Sequence, residues 1–147
     1  MESTYTKQIS EMETAADLMM SYGVSWIGMA GHSLGASVAL MTAAKIKTVK
    51  AVSVLAGRLS GLTPIHFLSK DQQDELKQTG KVFSTSRGRA LQLSTSFFSD
   101  AKLVGLPEIL RSLDHPLLIV HRNQDEIIPV TEAYKAHQIN PSVIELK

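Results

Sequence analysis

One stretch, residues 24–40, constrains the fold more than any other part of the chain. It begins as a short apolar run preceded by Gly23, which is typical of a buried strand. It then passes through G-H-S-L-G at 31–35 and continues as an apolar stripe at helical spacing. A strand, a G-x-S-x-G motif and a helix in that order predict a sharp turn that presents Ser33 at its tip.

Each part of this motif has a predicted task. The backbone on either side of such a turn comes together closely, which favours Gly31 and Gly35 because they lack a Cβ. The turn exposes the Ser33 hydroxyl and directs the backbone N–H of Leu34, at the helix start, toward a developing oxyanion. An ordinary helix N-cap serine after a buried strand is the alternative, and it stays open at this point.

The G-H-S-L-G motif resembles the nucleophile elbow of the α/β-hydrolase superfamily, whose esterase and peptidase branches often read G-H-S-x-G. A second glycine commonly follows in that superfamily, and here Ala36 takes its place. The resemblance is to the serine branch that includes dienelactone hydrolases and prolyl oligopeptidases. It implies that Ser33 is the nucleophile and that the backbone N–H of Leu34 is an oxyanion donor. It also implies three supports of the turn: Gly31, His32 and Gly35.

A second segment, residues 116–130, joins an apolar strand to a polar loop. It resembles the superfamily segment H-G-x-x-D-x-x-V-P that follows the seventh strand, and Arg122 stands where that segment has glycine. The resemblance implies that Asp125 is the acid of a catalytic triad. Asp114 is a weaker candidate, because it precedes the predicted strand and would lie at the opposite edge of the sheet.

The periodicity of the chain predicts an α/β protein with a mostly parallel sheet. Helices alternate with strands, which favours right-handed crossovers and collects Ser33 and Asp125 at the carboxyl edge. With the resemblance, this indicates a three-layer sandwich and a partial α/β-hydrolase fold of about four core strands, in one domain over residues 1–147. The predicted helices are 4–22, 34–46, 107–113 and 132–138, and the predicted core strands are 24–30, 49–56, 116–121 and 142–146.

Residues 58–106 interrupt this alternation. They predict a helix over 69–78, a hairpin over 81–94 with its turn at 87–88, and a short helix over 94–102. The superfamily inserts a cap after its sixth strand, so the resemblance implies a small cap-like insertion here. Four phenylalanines are candidates either for an apolar acyl pocket or for the interior of the cap: Phe67, Phe83, Phe97 and Phe98.

The base of the triad has no obvious position. The five histidines lie in the motif, in the cap, before a strand, at a strand end and on a helix: His32, His66, His115, His121 and His137. In the superfamily the base follows the last strand, and this chain stops at Lys147. The resemblance covers only the second half of a whole α/β-hydrolase, without the loop that gives the second oxyanion N–H. A fragment or short form lacking the catalytic histidine is expected.

Composition narrows the function further. The formal net charge of +1 gives no electrostatic signature of nucleic-acid binding, and no apolar run approaches membrane-spanning length. Cysteine is absent and the histidines show no paired ligand spacing, so no metal or other cofactor is expected. The N-terminus has no apolar core of a signal peptide, and a cytoplasmic protein is expected.

Two function classes follow. The first is a serine hydrolase that acts on the carboxylic ester or amide bond of a small molecule. The second is a non-catalytic binding or self-association module that keeps half of the hydrolase fold. The strand that begins at Val24 and ends at Ala30 lacks a neighbour in the superfamily's strand order. Such an apolar edge favours pairing with another chain, and a homodimer through this strand is expected.

Overall fold

The computed structural model describes residues 4–60, 63–86, 88–102, 105–142 and 144–147. Its strands are β1 (Ile27–His32), β2 (Val49–Leu55), β3 (Lys81–Ser86), β4 (Arg89–Ser94), β5 (Leu117–Val120) and β6 (Ile144–Leu146). Its α-helices are α1 (Tyr5–Ser21), α2 (Leu34–Ala43), α3 (Lys70–Thr79), α4 (Thr95–Lys102), α5 (Leu106–Ser112) and α6 (Thr131–Ile139). A short 3-10 helix covers Pro64–Phe67.

Four of these strands form one parallel sheet in the order β1-β2-β5-β6. The helices pack around it, α1 against α2, α2 against α5, and α5 against α6. The predicted fold class, a partial three-layer α/β sandwich, is confirmed. Because all four strands point the same way, their carboxyl ends meet at one edge, where ligands bind in such sheets.

The helix that follows β1 is the best-buried element of the core. Every residue of α2 from Ala36 onward is buried, and Leu40 is fully buried. The small side chains of the alanines at 36, 39 and 43 allow the axis of α2 to lie close to β1 and β2. Burial of a leucine side chain such as Leu40 contributes about 1.5–3 kcal/mol to stability.

The largest differences from the predicted element boundaries, three residues each, are at the start of β1 and the end of α2. β1 begins three residues later than predicted and extends to His32. Gly23, at φ 84°, ends the turn after α1, and the ladder to the neighbouring strand starts only where Ile27 N–H donates to Thr48 C=O. α2 ends at Ala43 rather than at residue 46.

The segment between β2 and α5 carries the predicted elements. Ser69 and Gln72 form a capping box at the start of α3, and Gly80 ends the helix with a left-handed φ of 72°. β3 and β4 pair antiparallel, as predicted; of the predicted turn, Gly88 has φ 75° and Arg87 lies outside the described residues. In the described ranges, no helix has the length and apolar character needed to cross a membrane.

Candidate active site

Ser33 occupies a strained turn between β1 and α2. Its φ of 55° and ψ of −120° lie in a region that non-glycine residues rarely adopt, at a typical cost of about 1–3 kcal/mol. Its N–H donates to Leu55 C=O (2.9 Å), which places the residue beside the carboxyl end of β2. The hydroxyl makes no capping hydrogen bond to α2, and the backbone is not extended as it is in an ordinary N-cap.

Gly31 is required by the packing of this turn. A Cβ at Gly31 would lie 2.1 Å from Gly35 C=O oxygen and 2.7 Å from the backbone nitrogen of Ala36, far inside van der Waals contact. The prediction that Gly35 is needed for the same reason is wrong. A Cβ at Gly35 would meet no atom within 4 Å, because the turn brings its carbonyl, not its α-carbon hydrogens, against Gly31.

The end of β2 closes tightly around the same turn. Ala56 is the second described non-glycine residue with positive φ, at 46°. A Cβ on Gly57 would lie 2.5 Å from the Cβ of Ala36, so the alanine that replaces the superfamily's second glycine is matched by a glycine opposite it. Residues with unusual positive φ thus follow both of the adjacent strands, Ser33 after β1 and Ala56 after β2.

Asp125 lies in the loop after β5, at the same edge of the sheet. Its Oδ1 accepts hydrogen bonds from the N–H groups of Ile128 (2.8 Å) and Ile127 (2.9 Å). These donors, Ile128 first, hold the pKa of Asp125 below its ordinary value against burial, which raises it. β1 and β5 flank β2, so the strands that lead to Ser33 and Asp125 are two spacings apart, roughly 10 Å.

The rival acid lies elsewhere. Asp114 precedes β5 at the amino edge of the sheet, and its side chain is 97% exposed. It contacts only the neighbouring ring of His115, at 3.3 Å, among its described interactions. Of the two acidic candidates, Asp125 alone shares an edge with Ser33.

Comparison with known proteins decides the fold. No family model matches the sequence, and no curated protein matches it significantly. Among solved structures, Est1E from Butyrivibrio proteoclasticus with ferulic acid bound superposes with a TM-score of 0.78 at 22% identity, over 99% of this chain and 58% of that one. A monoacylglycerol lipase from Paleococcus ferrophilus gives 0.67 at 11% identity, over 94% and 63%.

A third match is the alpha/beta hydrolase domain-containing protein 10 from mouse, with a TM-score of 0.66 at 20% identity, over 99% of this chain and 59% of that one. The chain has part of the α/β-hydrolase fold. It spans about three fifths of the length of these three structures.

Within this part of the α/β-hydrolase fold, the five histidines differ sharply in placement. His121 is buried at the end of β5, and His32 is exposed at the end of β1. His115 and His137 line grooves at the amino edge, together with Asp114. Two histidines contact the loop that carries the candidate acid: the Nε2 of buried His121 lies 2.9 Å from Ile128 C=O, and the Nε2 of exposed His66, from the 3-10 helix, lies 3.3 Å from Ile127 C=O.

A buried network of hydrogen bonds beside the turn at Ser33 was not predicted from the sequence. Glu132 is buried in the first turn of α6, where Oε2 accepts from the N–H groups of Leu59 (3.1 Å) and Ser60 (2.9 Å) and Oε1 accepts from the Ser60 hydroxyl (2.7 Å). Ser37 of α2 donates to Arg58 C=O (2.8 Å). This network fastens α6 and α2 to the loop that follows β2.

The buried guanidinium of Arg58 lies between two aromatic rings. Its central carbon is 5.6 Å from the ring centre of Tyr5 and 5.9 Å from that of Phe67. Burial lowers the pKa of Arg58 to about 10, partly offset by the negative charge of Glu132, so the group stays charged at neutral pH. The only sequence signal for it was an arginine directly after a strand end.

The four phenylalanines of the segment after β2 separate into two pairs. Phe97 and Phe98 are buried, and Phe97 packs 5.6 Å from the ring of Tyr5 on α1. Phe67 and Phe83 are exposed, at 43% and 60%. The first pair therefore holds the segment to the body of the protein, and only the second pair is free to meet a ligand.

The described residues offer no place for a metal ion that requires three or more His, Cys, Asp or Glu ligands. A cavity of about 500 Å³ between α2 and α5 and another of about 660 Å³ beside the starts of β5 and β6 both lie at the amino edge, away from Ser33 and Asp125. The carboxyl edge holds a hydroxyl, a carboxylate, backbone N–H groups and the exposed imidazoles of His32 and His66.

Proposed function

We propose that this chain supplies the nucleophile and the acid of a serine hydrolase that acts on carboxylic ester or amide bonds. The observation that carries the proposal is the strained backbone of Ser33, whose hydroxyl is not used as a helix cap and stands at the same sheet edge as Asp125. Backbone strain of this kind concentrates at functional sites. Two of the matched structures have the names of a lipase and a hydrolase, in agreement with this chemistry.

In the proposed reaction, Ser33 Oγ attacks the acyl carbon as its proton passes to a histidine base. The backbone N–H of Leu34 donates to the resulting oxyanion, and the carbonyl re-forms as the leaving group departs with that proton. Water then attacks the acyl carbon as its proton passes to the base, and the acid product departs when Ser33 Oγ takes that proton back. Asp125 orients the base and stabilises its cationic form, a task for which its lowered pKa keeps it ionised.

The base itself is proposed to come from residues outside this chain, in a longer form of the protein or from a partner. The nitrogen atoms of His121 are buried, and His115 and His137 lie at the opposite edge. His32 is the last residue of β1 and adjoins Ser33 in the chain, and successive side chains along a strand point to opposite faces. A second oxyanion donor is assigned to the same outside source.

We further propose that residues 58–106 act as a cap over this edge. Two contacts support the assignment: Thr6 N–H donates to Asp100 Oδ2 (2.8 Å), which ties α4 to α1, and His66 contacts the acid loop. Exposed Phe67 contacts Arg58 and His66, and we assign it to the apolar lining of this edge. A small ester or amide with an apolar acyl group suits an edge lined by this exposed phenylalanine.

Site-specific labelling tests the nucleophile. A fluorophosphonate incubated with the chain for hours should add one phosphonyl group, located on Ser33 by peptide mass spectrometry. Ser33→Ala should remove the label, and Ser25→Ala, which changes an exposed serine before β1, should keep it. Label on another residue, or none, would favour a non-catalytic binding module instead.

The outer edge of β1 is proposed to pair with a second copy of the chain. β1 ends the sheet and bonds only to β2 among the described strands, and its neighbours Tyr22 and Trp26 are 73% and 60% exposed. Light scattering should give the mass of a dimer, and Ala30→Lys, at an exposed position of β1, should shift it to the monomer. Leu91→Lys on β4 is the control and should stay dimeric. A monomeric wild-type chain at high concentration contradicts the proposal.

A further inference from the structure

His121 and Asp125 are joined through a third residue, Ile128. The imidazole of His121 is at the end of β5 with a side chain that is 0% exposed, and its Nε2 lies 2.9 Å from Ile128 C=O. The N–H of the same Ile128 donates to Asp125 Oδ1 at 2.8 Å. His121 Nε2 also lies 3.5 Å from Asp125 Oδ2. One buried ring thus contacts both the carboxylate and the backbone that holds it.

The tautomer of this ring follows from its neighbours. A carbonyl oxygen only accepts, so Nε2 must carry the hydrogen that bridges to Ile128. Nδ1 is buried and has no hydrogen-bond partner among the described residues. His121 is therefore a fixed donor, and it has no accessible nitrogen with which to take a proton from Ser33.

The two oxygens of the Asp125 carboxylate have different surroundings. Oδ1 is occupied by the two N–H groups of Ile127 and Ile128, which leaves Oδ2 as the oxygen with room for another donor. Among the described contacts, Oδ2 has only the distant His121 Nε2. The position of the ring is itself fixed by the sheet, because the His121 backbone N–H donates to Lys147 C=O (3.1 Å) next to β6.

We propose that His121 is a positioning residue for the acid: through Ile128 it fixes the loop so that the loop N–H groups engage Asp125 Oδ1 and Oδ2 is left to meet the base. The inference rests on the proposed function for its purpose, but its geometry is measured independently of turnover. It adds to the site a group that does not touch the substrate.

The test removes the donor while keeping the ring volume. In His121→Phe, amide hydrogen exchange of Ile127 and Ile128 should become about fivefold faster or more, because one clamp on the loop is lost. The ¹³C NMR titration of the Asp125 carboxyl should move up toward its ordinary pKa of 3.8 as its two N–H donors loosen. His121→Gln, which keeps a side-chain N–H donor, should restore both quantities toward the wild-type values.

The control is His115→Phe, which changes a largely buried histidine at the other end of β5 and should leave both readouts unchanged. If His121→Phe does not fold by circular dichroism, His121→Met gives the same comparison with a more adaptable side chain. Wild-type exchange and titration in a folded variant without the donor would overturn the inference. A chain that fails to label at Ser33 would instead overturn the proposed function, and the two failures are separately visible.

Discussion

Ser33 in this 147-residue chain should react with a fluorophosphonate about a hundredfold more slowly, or worse, than in a longer form that supplies a histidine base and a second oxyanion donor. Loss of one oxyanion donor alone typically costs about 2.7–4 kcal/mol of transition-state stabilisation. Without a base, the serine proton has no acceptor as the new bond forms. The measurement is the second-order labelling rate of each form under the same conditions.

The variant His66→Ala serves as the internal check on this expectation. Of the two described histidines that contact the acid loop, His66 is the exposed one, and the contact of its Nε2 with Ile127 C=O leaves Nδ1 as the nitrogen that could act as a base. We expect His66→Ala to label at the slow wild-type rate. Rapid labelling of the 147-residue chain, lost in His66→Ala, would show that the cap supplies the base and that our assignment of an outside histidine is wrong.

Gly31→Ala should destabilise the fold by about 3 kcal/mol, the upper range for overpacking. The added methyl would meet the backbone carbonyl of Gly35 at 2.1 Å, and neither β1 nor the first turn of α2 can move without breaking core contacts. Urea denaturation followed by circular dichroism measures the change, provided the slope of the transition is unchanged.

Gly35→Ala is the matched control within the same motif. Its new methyl would enter open space at the start of α2, where alanine is the better helix former, so stability should rise by up to about 1 kcal/mol. Equal destabilisation by the two substitutions would mean that the turn does not have the one-sided packing described above.

The features that local sequence determines were predicted well. The G-H-S-L-G turn, the capping box at Ser69 and the hairpin over 81–94 each depend on residues within a few positions of one another. The parallel sheet followed from alternation of helices and strands. The resemblance, rather than periodicity, identified Asp125, and its placement at the same edge as Ser33 then followed from the sheet.

What escaped prediction depends on distant partners. Glu132 reads as an ordinary acidic residue in a helix first turn, and only the folded chain shows that it bonds to Ser60, seventy-two positions away. The burial of Phe97 but not Phe67 likewise depends on how α4 docks on α1. The need for glycine at 31 but not at 35 is set by the direction of one carbonyl, which a symmetric motif does not reveal.

Backbone hydrogen bonds join the carboxyl ends of the four parallel strands. Ser33 N–H bonds to Leu55 C=O, Ala56 N–H to Val120 C=O, and His121 N–H to Lys147 C=O, each across one strand boundary. These three bonds hold Ser33 near the loop of Asp125 without any side chain of residues 63–86 or 88–102. The part of the segment beyond Ser60 can therefore be lengthened, shortened or exchanged while Ser33 and Asp125 keep their distance. Under the proposed function, such changes would alter substrate preference.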